Sequence, residues 1–72
     1  MELRYSRHAA RRMVGQDINE TMVEAVLLNP RWTPTTTRGV RYDGVIDGRR
    51  LCVVVDSDDE SIVVTTFWFR EN

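Results

Sequence analysis

The sequence predicts an α+β domain: an N-terminal two-helix hairpin packed on a three- to four-stranded antiparallel β-meander. Three observations predict it. Apolar residues recur at spacings of three and four as far as Leu27. From Arg31 onward β-branched and aromatic runs separated by turn residues replace that pattern. Between two of those runs stands Asp47-Gly48, a pair suited to the positive φ angles of a tight hairpin turn. Seventy-two residues allow a single domain, residues 1–72, with one thin core.

Ser6 is a good N-cap, and Ala9, Ala10, Met13 and Val14 follow it as one apolar stripe, which predicts a first helix from Arg7 to Val14. Gly15 then supplies a stop. Asp17 or Asn19 can cap a second helix whose apolar side is Met22, Val23, Ala25, Val26 and Leu27, with Glu20, Thr21 and Glu24 toward water. Asn29-Pro30 ends it, because proline disfavours helical geometry in the residue before it. Closing the hairpin at Asp47-Gly48 sets Ile46 opposite Arg49, Tyr42 opposite Val53 and Val40 opposite Val55, giving one apolar face toward the helices. The acidic run from Asp56 to Glu60 makes the next turn, and the last strand alternates Ile62, Val64, Thr66 and Trp68 against Val63, Thr65, Phe67 and Phe69. A further strand around Thr33 to Thr37 is confined to an edge by Pro34.

The net charge of −1 argues against nonspecific coating of nucleic acid. Its distribution is uneven: residues 1–41 hold seven arginines against four acids, and residues 42–72 three arginines against seven. All ten basic residues are arginine, which fits either a GC-rich genome or a need for planar phosphate-binding forks. One cysteine, Cys52, cannot form an internal disulfide and sits in an apolar run where a buried thiol is usual. With no signal-peptide core and no stretch long enough to cross a bilayer, the expected location is the cytoplasm.

On a helical wheel His8, Arg11 and Arg12 lie opposite the apolar stripe, with His8 and Arg12 at i, i+4. An imidazole can move a proton near neutral pH, and a guanidinium can hold a phosphate in two places and stabilise growing charge. That combination suits phosphodiester cleavage, although an ordinary solvated helix face has the same pattern. Arg41 has an alternative too, an ion pair with Asp43 or Asp56. The run Asp56, Asp58, Asp59, Glu60 lacks the glycine and distant glutamate of a calcium loop and reads as a solvated turn. One histidine and one cysteine supply no zinc ligand set, so no metal or cofactor is expected. Trp32, Phe67, Trp68 and Phe69 either stack on bases or fill a core or dimer interface; an uncovered Phe67/Phe69 face predicts self-association.

The order Ser6-x-His8-Ala9-x-x-Arg12-Met13, then Ile18, an acidic helix and Asn29-Pro30, resembles a family of small uncharacterised bacterial and phage domains. That family is grouped with the RelE-like and BrnT-like toxin ribonucleases, within the barnase, EndoU, colicin and RelE assemblage. The likeness extends through Arg41-Tyr42, GRRLCVVVD and IVVTT, nearly the whole chain. It implies a RelE/barnase-like fold with a metal-independent ribonuclease site between the first helix and the sheet. His8 and Arg12 match the family's helix positions, and the resemblance implies Arg41 and Thr66 as their sheet counterparts; apart from that match, Arg11, Arg38 and Tyr42 are expected as further RNA contacts. Where family members often carry an arginine before the second helix, this chain has Gln16 and Asp17.

Two functions follow as expectations. The first is a toxin-type, metal-independent endoribonuclease or RNA-binding relative, with His8 as general base or acid and Arg12 and Arg41 clamping phosphate. A single histidine needs a second group, such as a carboxylate, Tyr42 or water. The second is a non-catalytic module that binds a cognate antitoxin or other protein, or a second copy of itself.

Overall fold

In a computed structural model, which describes residues 1–70, the chain forms two helices and one five-stranded sheet. In chain order these are β1 (Arg4–Tyr5), α1 (Arg7–Gly15), α2 (Glu20–Leu28), β2 (Thr35–Thr36), β3 (Val40–Ile46), β4 (Arg49–Val55) and β5 (Ile62–Trp68). The sheet runs β1-β5-β4-β3-β2, with β2 to β5 antiparallel and β1 parallel to β5. Five strands in a mixed sheet correct the expected three- to four-stranded antiparallel meander. The extra strand is two residues before the first helix cap, too short to carry an alternating pattern. It is held from both ends, where Arg4 N donates to Ser61 O at 2.8 Å and Ser6 N to Val63 O at 2.9 Å.

Ser6 caps α1 as its sequence position requires, its hydroxyl oxygen accepting from Ala9 N at 3.0 Å. The same hydroxyl donates to Val64 O at 2.7 Å and ties the helix start to β5. Of the expected stripe only Ala9 and Met13 are buried, while Ala10 is exposed and Val14 is 85% exposed. Nine residues resting on β5 and the short edge strand β1 need no wider contact. The left-handed residue after α1 is Asp17, with φ 58°, and not Gly15. Asn19 caps α2 through Met22 N at 2.9 Å. Its buried side is Val23 and Val26, whereas Ala25, expected to face inward, is exposed.

The hairpin has the register the sequence predicts, with Ile46, Tyr42 and Val40 opposite Arg49, Val53 and Val55. Asp47 and Gly48 take φ angles of 51° and 78°, as a turn matching the strand twist demands. Alternation along β5 is broken by a bulge, because Val54 pairs with Thr65 and Val55 with Val63, leaving Val64 over. Val63 therefore joins Thr66 and Trp68 on the helix side, and Val64 is exposed, which corrects the simple alternation expected there.

Both helices lie on one face. Ala9, Met13, Ile18, Val23, Val26, Leu51, Val53, Val55 and Val63 form a single cluster, with α1 over β5 and α2 across β3 and β4. Each fully buried valine or leucine there contributes about 1.5–3 kcal/mol relative to exposure. Gly44 lets α2 approach: a Cβ at that position would stand 3.2 Å from the Val26 Cα. Among the described residues no helix is long and apolar enough to cross a membrane.

Candidate anion and RNA site

The hairpin register places Asp43 beside Cys52 on the face that carries no helix, with Arg41 and Arg50 on the same side. Asp43 is 4% exposed, and its carboxylate accepts from Arg41 Nε and Nη2 at 2.8 Å each and from Arg50 Nε at 2.7 Å. Burial pushes its pKa up, and the hydrogen bonds from Arg41 and Arg50 outweigh that, holding the carboxyl below its ordinary range. Arg41 Nη2 also donates to Cys52 Sγ at 3.3 Å. Burial and then the Asp43 charge raise the Cys52 thiol to about 11, so it stays protonated near neutral pH. Above these groups the Arg50 guanidinium lies over both Trp32 and Phe69, 4.0 and 4.1 Å from their centroids. The Arg41 guanidinium is 5.5 and 5.8 Å from Phe67 and Phe69.

At the C-terminal half of β5 this face meets the end of α1 in an open cleft of about 1130 Å³. Arg12, Arg41, Arg49 and Arg70 line it with Phe67, Trp68 and Phe69, and among the described residues Asp17 is the acidic one in the lining. Gln16 organises the α1 side. With its side-chain amide oriented to put the oxygen toward the guanidinium, the assignment the hydrogen-bond network favours, Gln16 can accept from Arg12 Nε and Nη2 at 3.1 and 3.2 Å. Its backbone carbonyl accepts from Trp68 Nε1 at 3.0 Å. Arg49 in turn lies over the Trp68 ring at 4.0 Å. Four guanidiniums around one concavity can bind an anion, and planar forks suit phosphate.

The structure brings together two of the four residues expected to be catalytic, Arg12 and Arg41. His8 is exposed on α1 one turn before Arg12 and does not line the cleft. Thr66 is wholly buried, its hydroxyl donating to Cys52 O at 2.8 Å, so it is placed to bond the sheet and not a substrate. Of the residues expected as further RNA contacts, Arg11 and Arg38 are exposed and lie outside the cleft. Tyr42 faces the helix side and donates to Glu60 at 2.6 Å. Arg41 realises its alternative, the ion pair with Asp43, while still facing the cleft.

Sequence reasoning missed Arg49, Arg50 and Arg70. Arg50 was within reach: Asp43 opposite Cys52 follows from the Asp47-Gly48 closure, and Arg50 shares that face by alternation. Arg49 and Arg70 depend on how α1 sits against the end of β5, for which local pattern carries no signal. The acidic turn is closed on itself, with Asp59 Oδ1 accepting from Ser61 N and Oγ at 3.1 and 2.6 Å and Oδ2 from Arg4 at 2.9 Å.

Compared with known protein families, residues 5–68 match the model described as a domain of unknown function, DUF4258. No curated protein and no solved structure matches the chain. The matched span begins within β1, takes in both helices and the arginine-bearing strands, and ends with β5, so the chain belongs to the DUF4258 family.

Proposed function

We propose that the chain binds RNA through the arginine cleft, as a relative of the RelE/barnase-like, toxin-type ribonucleases. The observation that supports this is the gathering of Arg12, Arg41, Arg49 and Arg70 around one concavity in a chain whose net charge is −1. Local positive charge of that kind attracts a phosphate backbone without making the whole protein basic. Cleavage is the stronger form of the reading and falls to His8, with Arg12 and Arg41 on the phosphate. Since His8 stands outside the cleft, substrate would have to reach along the exposed face of α1.

The test is binding of a labelled RNA at several salt concentrations, followed by cleavage analysis. Arg12→Gln combined with Arg49→Gln is expected to weaken binding about tenfold or more and to flatten its salt dependence. Unchanged affinity in the double variant refutes the cleft. Loss of cleavage in His8→Ala with retained binding supports catalysis by His8, and an RNA left intact by the wild type confines the function to binding.

A second reading, a non-catalytic module for an antitoxin or another protein, is favoured by a smaller groove of about 330 Å³ between Leu3, Leu27 and Tyr42. Met1 at its edge is 60% exposed, and Leu28 at the end of α2 is 70% exposed. Co-purification of a partner lost in Leu27→Glu, with RNA binding unaffected, supports that reading.

A further inference from the structure

The open face of the sheet carries an alternating series of rings and guanidiniums that the cleft alone does not use. Trp32, Arg50, Phe69, Arg41 and Phe67 follow one another at ring-to-guanidinium distances of 4.0, 4.1, 5.8 and 5.5 Å. Asp43 fixes the planes of both arginines from below, through three hydrogen bonds of 2.7–2.8 Å. Trp32 is held at the far end because Arg31 N donates to Asp43 O at 2.8 Å, yet it remains 40% exposed. The near end, Arg41 with Phe67 and Phe69, is a wall of the arginine cleft.

We propose that this series is a platform for single-stranded RNA, whose phosphates lie in the cleft and whose bases stack along the open face as far as Trp32. The inference rests on the cleft reading above and adds the class of substrate. Charge complementarity selects a polyanion, because Arg41 and Arg50 oppose one buried carboxylate and Arg12, Arg49 and Arg70 continue the positive surface. Ring and guanidinium planes select one that can splay its bases, since an unpaired base stacks on either kind of plane. A duplex keeps its bases stacked on each other and offers this face only its backbone. Arginines held in place by Asp43 lose little freedom when a base docks, which favours stacking over a flexible surface arginine.

The experiment measures binding of the full chain to three probes: a short oligouridylate, an abasic oligomer of the same length, and an RNA duplex. The wild type is expected to bind oligouridylate roughly tenfold or more tighter than the abasic oligomer, as base stacking on aromatic side chains provides. Trp32→Leu lowers oligouridylate binding several-fold toward the abasic level, and Trp32→Phe retains most of the preference. Tryptophan fluorescence, to which Trp68 in the cleft also contributes, is quenched more by oligouridylate than by the abasic oligomer, and Trp32→Phe removes that difference. Equal binding of oligouridylate and abasic oligomer, or unchanged oligouridylate binding in Trp32→Leu, overturns the platform and leaves the cleft standing. Preference for duplex overturns the platform as well. Failure of all three probes to bind overturns the cleft reading together with it.

Discussion

Arg50 reaches across from β4 and donates its Nε to Asp43 at 2.7 Å, so a carboxylate that is only 4% exposed is neutralised on the face without helices. That contact organises the sheet's second side. In place of a second helical layer, arginine stems and aromatic rings cover Asp43 and Cys52.

Removing the carboxylate should be expensive. Asp43→Ala leaves two guanidiniums facing each other and is expected to cost about 3 kcal/mol, measured by urea denaturation. Because the folded-state pKa of Asp43 is depressed, its contribution is full above its ordinary value of 3.8 and is lost as pH falls below it. Asp43→Asn should therefore flatten the acid limb of the stability curve between about pH 4 and pH 2.

The opposite sign applies to Tyr5. Its hydroxyl is buried with no hydrogen-bond partner among the described residues, and burial, then the charges of Glu20 and Glu24, raise its pKa to about 12. A raised folded-state pKa favours the protonated phenol, so its contribution is full below pH 10 and is lost as pH rises from 10 toward 12. Tyr5→Phe is expected to leave stability at neutral pH unchanged or slightly improved, since no bond is broken. It should also remove part of the alkaline loss, as thermal melts from neutral pH to pH 11 would reveal.

Ser6 joins two elements with one hydroxyl. Ser6→Ala removes both the cap on Ala9 N and the bond to Val64 O, and should cost about 1–2 kcal/mol. Hydrogen exchange at Ala9 and in β1 is expected to speed up before that in the hairpin. Equal acceleration throughout would mean that the N-terminal segment does not open independently.

Gly44 sets the distance between α2 and the sheet. A methyl group there meets Val26 Cγ2 at 3.1 Å and Cα at 3.2 Å, and backbone on both sides leaves little room to yield. Gly44→Ala is expected to destabilise by about 1–3 kcal/mol in denaturant titration. Restoration by a second change, Val26→Ala, would locate the cost in that contact.

Much of the fold was legible because its signals are local. Ser6 announces α1, Asn19 starts α2, and the Asp47-Gly48 pair sets a seven-pair register without tertiary information. What was not legible depends on distant partners. β1 exists only because β5, more than fifty residues later, offers an edge to Arg4 and Tyr5. The surplus residue at Val64 is invisible in a run of β-branched side chains, where either parity reads as apolar. The candidate site divides in the same way. Arg12 and Arg41 could be named from motif and pattern, while the partnership with Arg49 and Arg70 required the docking of α1. Thr66 illustrates the converse: a threonine in a strand reads as available until its surroundings show it sealed in the core.

The order of elements along the chain has a consequence for synthesis. α1 and α2 are translated early, and the strands they pack on, β3, β4 and β5, come after them. A nascent chain therefore carries Ala9, Met13, Val23 and Val26 without the residues that shield them, and β1 waits for Ile62 and Val63 before it can pair. Folding is complete only when β5 has been made, so slow translation of the hairpin prolongs the interval in which those apolar side chains are exposed to other molecules.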